Sequence, residues 1–406
     1  MSSRDFQQLV DVAAKRGKKL LEIVSEDSHK CDSSRSLSPD FSISQAAQII
    51  GCPSNLITKL ESEGRLGFTI RRARRGNARA RVLNYNEINR VRDALGQRPS
   101  RPAGSRCKRV VVQNLKGGVA KSTHAIHFAH YLGVQGYRVL LVDSDPQGTA
   151  TASFGIIPDL HLKDGEDLSY ALLKDPTLIH DAVRKTNWDN IDLIPARIEL
   201  EFVDWEMTIN LSSGDTALGP MPLRLNRALQ EIEDDYDVIV IDTPPSLGVL
   251  SLNTIAAASI MVMPIAPQMF EIGSSVKYFE ILSTVLGHYG SEITPEMLAI
   301  LMTKVDSREA TERHLQQLQV CFGEMIMSSM MGKSEAFQKA SSHALSLYET
   351  PDLGAAEKRA RTMLDAINEE LLALVQGLWD KDVQQNSEYG SASESSFATV
   401  AAGGKG

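Results

Sequence analysis

The sequence predicts an α/β protein in which a mostly parallel sheet is covered by helices on both faces, preceded by a small α-helical domain. Three observations support this prediction. After Cys107, short apolar runs alternate with helical patterns, as in parallel strands joined by helices. A glycine-rich turn follows the first of these runs. Before Cys107 the sequence pattern is different, with two short helical patterns and many arginines.

The predicted strands are short runs rich in Val, Ile and Leu, as expected for strands buried on both faces. They are Val110–Gln113, Val139–Val142, Ile191–Ile194, Val238–Ile241, Ile260–Pro264 and Leu298–Met302. A long helix is predicted at Ala355–Trp379. The Ser-, Ala- and Gly-rich stretch that follows predicts a disordered tail.

Shifts in composition divide the 406 residues into six predicted segments. Polar stretches rich in Ser or Pro are assigned to linkers, and the Arg-rich region between them to a separate domain. The segments are a helix at 1–26 that could join two subunits, a linker at 27–41, a winged helix-turn-helix domain at 42–96, a linker at 97–106, the α/β domain at 107–380 and a disordered tail at 381–406.

Composition argues against several classes of protein. Hydrophobic residues make up 42% and charged residues 23%, which is ordinary for a globular chain. The longest nearly apolar run, Ile255–Pro267, is shorter than the roughly 20 residues of a membrane-spanning helix. No secretory signal pattern is visible near Met1. The four cysteines form no C-x-x-C pair, which favours a reducing cytoplasm over a disulfide framework or a zinc site.

The net charge of −8 hides an asymmetry along the chain. Between Arg65 and Arg109 there are 14 Lys and Arg but only two acids, so this segment carries +12 and the remainder −20. A run of one sign is typical of a surface that binds a polyanion. Thirteen of the 14 bases are Arg, which pairs with phosphate through two hydrogen bonds at once. Nucleic acid is therefore favoured over the alternative, a solvated basic linker.

The glycine-rich turn spans Lys116–Thr123 and leads from the first strand into a helix. Backbone N–H groups of such a turn form a ready anion site at the helix N-terminus. The pattern K-G-G-V-A-K-S-T predicts that Lys121 lies against β- and γ-phosphates and that Ser122 is a Mg²⁺ ligand. Thr123 could bond another phosphate oxygen.

The turn departs from the common G-x-x-x-x-G-K-[ST] pattern, because Leu115 and Ala120 stand where glycine is usual. A left-handed backbone at Ala120 would cost about 1–2 kcal/mol. Taken alone, the turn could be no more than a tight strand-to-helix connection with exposed lysines.

Two other predicted strands end in acids. Asp143 and Asp145 follow one strand, and Asp242 ends another. Open α/β sheets bind ligands at the carboxyl ends of their strands, where an acid can hold the water shell of Mg²⁺. A single such Asp is commonly a helix cap, but three phosphate-site elements on three strands predict nucleotide binding.

Together these elements resemble the ParA/MinD-type ATPases, whose deviant phosphate loop reads K-G-G-x-x-K-[ST]. Val139–Gly148 is similar to the family's D-x-D-P-Q-G box, and Val238–Pro245 to its strand ending in D-T-P-P. The resemblance covers roughly residues 107–380. With a DNA-binding domain in front, the chain looks most like the large, RepA-like ParA proteins of plasmids and some chromosomes.

The resemblance implies a P-loop NTPase fold and slow, partner-stimulated hydrolysis of ATP to ADP and phosphate with Mg²⁺. Lys116 would reach the partner's phosphates in an ATP-bound dimer, Lys121 would act on the bound nucleotide, and Asp145 would position the attacking water. The positions matching the family's nucleotide site are Gly117, Gly118, Val119, Ala120, Lys121, Ser122, Thr123, Asp143 and Asp242, with Ser122 and, through water, Asp242 on the Mg²⁺ side. The adenine side would form around Thr303–Asp306 and Met263–Pro267.

The resemblance also implies partners and a location. The chain would form a homodimer, bind DNA without sequence preference in its ATP form, and meet a ParB-like centromere-binding protein that stimulates hydrolysis. It would repress its own operon through its N-terminal domain, and it would be cytoplasmic and nucleoid-associated, without membrane contact. Candidates for the nonspecific DNA surface are Lys333, Lys339, Lys358, Arg359 and Arg361.

Residues 41–64 predict a helix, a turn at Gly51–Pro53 and a second helix, with Ser44 and Ser54 as caps. A third helix is predicted at Asn86–Leu95. The predicted shared core is Ile43, Ala46, Ala47, Ile50, Leu56, Ile57 and Leu60. The Arg-rich stretch suits a two-stranded wing with a turn at Gly76–Asn77, and the whole resembles a MerR-type winged helix-turn-helix. Candidate DNA contacts are Ser54, Asn55, Thr58, Lys59, Arg71, Arg72, Arg74, Arg75, Arg79 and Arg81.

Two other functions are compatible with these patterns. One is a DNA-binding transcription regulator that uses the phosphate loop as a nucleotide sensor without turnover. The other is a MinD-like ATPase that positions itself on a membrane, which would need an apolar helix face near the end of the chain. The Ser-, Ala- and Gly-rich sequence there disfavours it.

Overall fold

The computed structural model describes residues 39–75, 78–213, 219–289, 293, 295–306, 308–350 and 353–402, and scattered positions between 11 and 23. For 388–402 and a few other positions only the backbone is described. The scattered N-terminal positions are helical, but most of the predicted helix at 1–26 and of the linker at 27–41 lies outside the described residues, as does the predicted turn at Gly76–Asn77.

The N-terminal domain is a helix-turn-helix followed by a β-hairpin wing and a third helix. Its elements are β1 (Phe41–Ser42), α1 (Ile43–Ile50), α2 (Ser54–Ser62), β2 (Arg71–Arg75), β3 (Ala78–Leu83) and α3 (Tyr85–Leu95). The strands form an antiparallel sheet in the order β1-β3-β2. The predicted core residues Ala46, Ala47, Ile57 and Leu60 are buried in the apolar core of this domain.

The caps of this domain differ from the prediction. The N-cap of α1 is Ser42, whose side chain accepts from Gln45 N while the Gln45 side chain accepts from Ser42 N, so Ser44 lies inside the helix. The N-cap of α2 is Pro53, which has no side chain to cap with, and Ser54 is the first helical residue. Proline suits a helix start because its fixed φ matches the helix and an N–H there would lack a partner.

The C-terminal domain alternates strands and helices around one sheet. Its elements are β4 (Lys108–Val112), α4 (Lys121–Gln135), β5 (Val139–Asp143), α5 (Thr149–Ser153), α6 (Pro158–His161), α7 (Leu168–Leu173), α8 (Ile179–Ala182), β6 (Arg184–Lys185), β7 (Ile191–Ile194), α9 (Leu200–Ser213), α10 (Arg224–Gln230), β8 (Val238–Asp242), α11 (Val249–Ala257), β9 (Ile260–Ile265), α12 (Met269–Tyr289), β10 (Met297–Met302), α13 (Glu309–Phe322), α14 (Ala336–Ser341) and α15 (Ala355–Ala402).

The sheet has the order β10-β9-β4-β8-β5-β7-β6 and is parallel except for the short edge strand β6. All six predicted strands are confirmed, with bounds shifted by at most two residues. The edge strand β6 was not predicted, since two residues carry no periodicity. Apolar clusters cover both faces of the sheet, one against α4 and α15, the other against α7, α9, α10 and α11. This confirms the predicted fold class.

The predicted tail and the second predicted linker are both more ordered than expected. Helix α15 continues to Ala402, well past the predicted boundary at 380. Within that extension Asp382 is buried and accepts from Arg106 N and Lys108 Nζ, and Asn386 donates to Gly104 O. These contacts fix the end of the 97–106 segment against the α/β domain. Among the described residues, no helix is long and apolar enough to cross a membrane.

Candidate functional site

The phosphate loop lies between β4 and α4, at the carboxyl end of β4, an inner strand next to the centre of the sheet. Its start is fixed by Asn114, whose Nδ2 donates to Pro264 O at 2.7 Å and whose Oδ1 accepts from Lys116 N at 3.0 Å. The buried Lys121 donates from Nζ back to Lys116 O at 3.1 Å, across the mouth of the loop. The loop is thus closed on itself at the two lysines that the sequence singled out.

The backbone of the loop is left-handed at Gly118 and at Ala120, each with φ of 72°. The strain anticipated for Ala120 is therefore present, since an L-residue with a side chain disfavours this region by about 1–2 kcal/mol. Ala120 is also the N-cap of α4 and has no side chain that could cap it. The first N–H groups of the helix consequently have no capping side chain at this residue, as suits an anion site.

Two carboxylates, Asp145 and Asp242, act on the charge of Lys121, and a third, Asp143, lies next to Asp242. Asp143 and Asp242 end neighbouring strands in register, and Asp145 follows two residues later. Burial is the main cause that raises the pKa of each of them, and for Asp242 the charge of Asp143 adds to it. Burial in turn lowers the pKa of Lys121, an effect opposed by Asp242 and Asp145. The site therefore holds several buried ionisable groups whose charged forms are disfavoured by burial.

The two strand-end acids differ in how their oxygens are used. Asp143 Oδ2 accepts from both Thr151 N and Thr151 Oγ1 at 2.7 Å, and its Oδ1 accepts from Asp145 N. Asp242 Oδ1 accepts from Thr243 N, whereas its buried Oδ2 has no hydrogen-bond partner. The Ser122 hydroxyl lies next to the Asp242 carboxylate and lowers its pKa. A hydroxyl and an unpartnered carboxylate oxygen fit one side of a Mg²⁺ site, whereas the fully bonded Asp143 braces α5.

A cavity of about 850 Å³ opens over the phosphate loop. This is within the size range of nucleotide-sized ligand pockets. Its lining residues are Gly118, Ala120, Thr123, Gln268, Lys304, Met331, Gly332, Lys333, Ser334, Glu335, Phe337 and Gln338. Of the residues predicted for the adenine side, Lys304 lines the cavity, and Gln268 directly follows the second predicted segment. The 331–338 segment was missed, because it has no motif.

Lys304 adopts a left-handed backbone, with φ of 54°, and its Nζ lies 3.8 Å from the position that a Cβ on Gly118 would take. Asp306, two residues on, is already occupied: Oδ1 accepts from Thr311 Oγ1 at 2.6 Å, and Oδ2 from Lys333 Nζ at 2.6 Å. These partners hold the pKa of Asp306 well below its usual range. The T-K-x-D sequence resembles a guanine-reading box, but its acid is engaged within the chain, so it is poorly placed to read guanine.

The predicted DNA-binding side chains of α2 lie on its surface: Ser54, Asn55 and Lys59 are exposed, while Thr58 is half-buried and donates to Asn55 O. Lys59 is also paired with Glu63 at 3.8 Å, a surface contact worth little. Nothing in α2 prevents its outer face from entering a groove.

The arginines of the wing divide into two kinds. In the β2–β3 register Arg72 lies opposite Arg81, and Arg74 opposite Arg79, so one face of the hairpin presents four arginines. Like charges directly opposite each other destabilise a hairpin. For Arg81 this repulsion is offset by an ion pair with Glu61 at 2.8 Å.

Arg71 lies on the other face of the hairpin, with ion pairs to Asp40 and Glu87. Its role is therefore in the fold rather than in an open DNA contact. The side chain of Arg75 lies outside the described residues.

The bases proposed for nonspecific DNA binding are mostly engaged elsewhere. Lys333 pairs with Asp306 at the nucleotide cavity, and Lys339 pairs with Glu357 at 2.6 Å. Arg361 stacks on the Tyr348 ring at 3.6 Å and donates to Asp365 and Leu347 O. Lys358 and Arg359 are exposed. Lys333 and Lys339 are nevertheless exposed, and surface ion pairs are weak, so Arg361 is the member of the five that is held within the fold.

The chain is similar to several known proteins over much of its length. A family model described as an AAA domain matches residues 107–294. The chromosome-partitioning ATPase Soj of Treponema pallidum is 30% identical over 262 residues, 63% of this chain and 97% of the relative. Protein SopA of Escherichia coli K12 is 29% identical over 319 residues, 78% of this chain and 82% of the relative.

Among solved structures, one described as a partition protein matches with a TM-score of 0.64. It is 21% identical, and the match covers 92% of this chain and 98% of that one. At this identity the likeness concerns the fold alone. It extends over both domains of the chain.

Proposed function

The chain belongs to the ParA-type partition ATPases, and we propose from this premise that it segregates a plasmid or chromosome by a nucleotide-driven cycle of DNA binding. It is an ATPase that uses ATP and Mg²⁺. The observation that carries the proposal is the convergence of Lys121, Ser122 and Asp242 beneath a left-handed phosphate loop, in one chain with an arginine-faced wing.

We assign roles at the nucleotide site by position. The loop N–H groups and Lys121 bind the phosphates, because a buried ammonium with a lowered pKa gains most from a nearby anion. Ser122 and, through water, Asp242 hold Mg²⁺, which supplies charge neutralisation for the phosphates. Asp143, bonded to Thr151, positions α5 and the Asp145 segment rather than touching the nucleotide.

Asp145 and Lys116 are proposed to complete catalysis. Asp145 is buried near Lys121, its Oδ1 accepts from Gln147 N at 3.0 Å, and it would orient the attacking water. Lys116 would supply positive charge to the nucleotide of a second subunit. Hydrolysis would then depend on dimerisation, so ATP would favour one association state and its loss the other.

Two DNA-binding modes are proposed for the same molecule. The winged domain, with Ser54, Asn55 and Lys59 on α2 and Arg72, Arg74 and Arg79 on the wing, would bind an operator and repress the chain's own operon. The ATP-form dimer would bind DNA without sequence preference, with Lys333, Lys339, Lys358 and Arg359 as the exposed candidates on the α/β domain. A ParB-like protein bound at a centromere site would stimulate hydrolysis and release.

ATP turnover by single variants tests the catalytic proposal. Lys121→Ala, Lys116→Ala and Asp145→Ala should each lower the rate of phosphate release by tenfold or more. The first two remove positive charge that stabilises the transition state, and the third removes the group that orients the attacking water. Lys277→Ala is the matched control, because Lys277 is exposed and pairs only with Glu280 in the described contacts. Unchanged turnover in all three variants would favour the sensor without turnover instead.

A further inference from the structure

Helix α9 is apolar on two faces, and within the part of the chain that the structure describes only one of them packs into the fold. Leu200, Val203 and Met207 are buried against the sheet. On the other side Phe202 is 67% exposed and Trp205 66% exposed, with Ile209 close to half exposed at the next turn. Scattered exposed apolar residues are ordinary, but two large aromatic rings and an aliphatic side chain on one helix face mark an interaction surface.

The surroundings of this stripe, defined here as Phe202, Trp205 and Ile209, are acidic. Glu201 and Glu206 are exposed on the same helix, and the sequence holds no Lys or Arg between Ile198 and Leu223. An apolar stripe edged by carboxylates attracts an apolar partner edged by bases.

The charge also argues against other occupants. DNA and an anionic membrane surface would both be repelled by the same carboxylates. A two-fold contact between copies places the same patch on both sides, so acid would face acid.

We propose that the stripe on α9 is a docking site for a basic amphipathic helical segment of a partner protein. Such a segment would lay its apolar side chains against Phe202 and Trp205 and place Lys or Arg beside Glu201 and Glu206. This is the helix-against-apolar-face mode of peptide recognition. Trp205 is its central anchor, since Trp is enriched among residues that dominate binding energy.

The stripe on α9 is connected to the nucleotide site through contacts between α9 and α11. Asp204, on the same helix, accepts from Leu250 N at 2.6 Å in the first turn of α11. Gly248, the N-cap of α11, lies so close that an added Cβ would clash with Asp204 Oδ2. The segment between Asp242 and Gly248 therefore runs from the proposed Mg²⁺ ligand to the docking helix. An effect of the partner on hydrolysis rests on the proposed function; the docking itself does not.

Trp205 provides its own reporter. The chain has three tryptophans, and the other two, Trp188 and Trp379, are buried at 1% and 2% exposure. The probe is a synthetic 14-residue amphipathic peptide of Leu and Lys, titrated into the full-length chain without nucleotide. A matched Leu and Glu peptide is the control. We expect a saturable blue shift of Trp205 emission with the first peptide and none with the second.

Variants locate the binding. Glu201→Lys with Glu206→Lys should weaken binding by about tenfold or more, measured by anisotropy of a labelled peptide, because both flanking charges are reversed. The matched double reversal Glu309→Lys with Glu312→Lys, on the exposed side of α13, should leave it unchanged. Phe202→Ser should weaken it without reversing a charge.

Three results would overturn the proposal: no shift with either peptide, equal binding of both, or a blue shift caused by raising the protein concentration alone, which would assign the stripe to a second copy. Because the titration needs no nucleotide, its failure would leave the ATPase assignment standing. Loss of turnover in the phosphate-loop variants, in contrast, says nothing about the stripe.

Discussion

Two arginine-rich stretches of the same basic segment have opposite structural roles. The wing (residues 71–83) presents Arg72, Arg74 and Arg79 at the surface, on one face of a hairpin. The docking stretch (residues 90–109) holds its bases against the α/β domain. Arg92 is 4% exposed and donates to Val134 O and Ile49 O, and Lys108 is 1% exposed and pairs with Glu296 and Asp382.

The comparison teaches that a count of basic residues is not a count of available charge. Six bases of the docking stretch (Arg90, Arg98, Arg101, Arg106, Lys108 and Arg109) each have an acidic partner within 4 Å. The +12 of the whole segment overstates what a polyanion could meet. The exposed arginines of the wing supply the positive charge that a polyanion can reach, and the docking stretch joins the two domains.

The largest expected effect is on stability, from the docking stretch. Lys108→Met should lower the free energy of unfolding by about 3 kcal/mol. It removes the buried ammonium from Asp382 and Glu296 and, among the described contacts, leaves both acids with only the longer ion pairs to the exposed Arg106. Urea unfolding followed by circular dichroism measures it. Combining it with Asp382→Leu should recover part of the loss, and a Lys108→Met chain of normal stability would contradict the comparison.

The next effect is on DNA binding, from the wing. Arg72→Ala with Arg79→Ala should weaken DNA binding by roughly 10- to 100-fold and reduce the slope of log K against log salt by about 2, one unit for each phosphate contact. Stability should stay level or rise slightly, because two like-charge cross-strand pairs are relieved. Fluorescence anisotropy over a salt series measures this. An unchanged salt slope would show that Arg72 and Arg79 do not contact DNA phosphates.

A third expectation concerns the pH dependence of stability, which arises from two histidines in helix α4. Arg92 donates to Val134 O in the same helix. Burial lowers the pKa of His124 to about 4 and that of His127 to about 3. His127 is fixed neutral, since Leu347 N donates to its Nε2 and its Nδ1–H therefore donates to Thr123 O.

Groups with a lowered folded-state pKa give stability that is present above pH 6.5 and lost as pH falls below it. We expect roughly 1 kcal/mol lost per histidine between pH 7.5 and 5.5, measured by urea midpoints. His124→Leu should remove about half of this acid sensitivity, because both of its buried nitrogens lack hydrogen-bond partners. Arginine does not titrate in this range, so the charge of the wing should stay constant from pH 7.5 to 5.5.

The smallest effect tests an exposed member of the docking stretch. Arg90 pairs with Asp189 at 3.3 Å, with both side chains about half exposed. Arg90→Met should change stability by less than about 1 kcal/mol, and it serves as the matched control for Lys108→Met. A loss as large as that of Lys108→Met would mean that exposure does not separate the bases of this stretch.

Much of the fold and part of the site could be read from local sequence. Strands buried on both faces are continuous apolar runs, so β5 and β8 were placed within one residue of their bounds. The phosphate loop could also be recognised from local sequence, because its functional residues lie in eight consecutive positions. The 331–338 lining of the cavity has no such signature and was missed, as was the cap at Ser42, where two serines two residues apart compete.

By itself, then, the sequence determined the α/β class, the loop that would bind phosphate, the acids at the ends of its neighbouring strands and the helix-turn-helix. Only the tertiary structure decided which charges are available, because partners are chosen by proximity in space. Lys108 and Asp382 are 274 positions apart yet 3.0 Å from each other. A similar distance along the chain separates Arg106 from Asp382 and Gly104 from Asn386, the contacts that order the chain beyond 380. The engagement of Asp306 and the exposure of the second apolar face of α9 also depend on the folded arrangement of neighbouring segments.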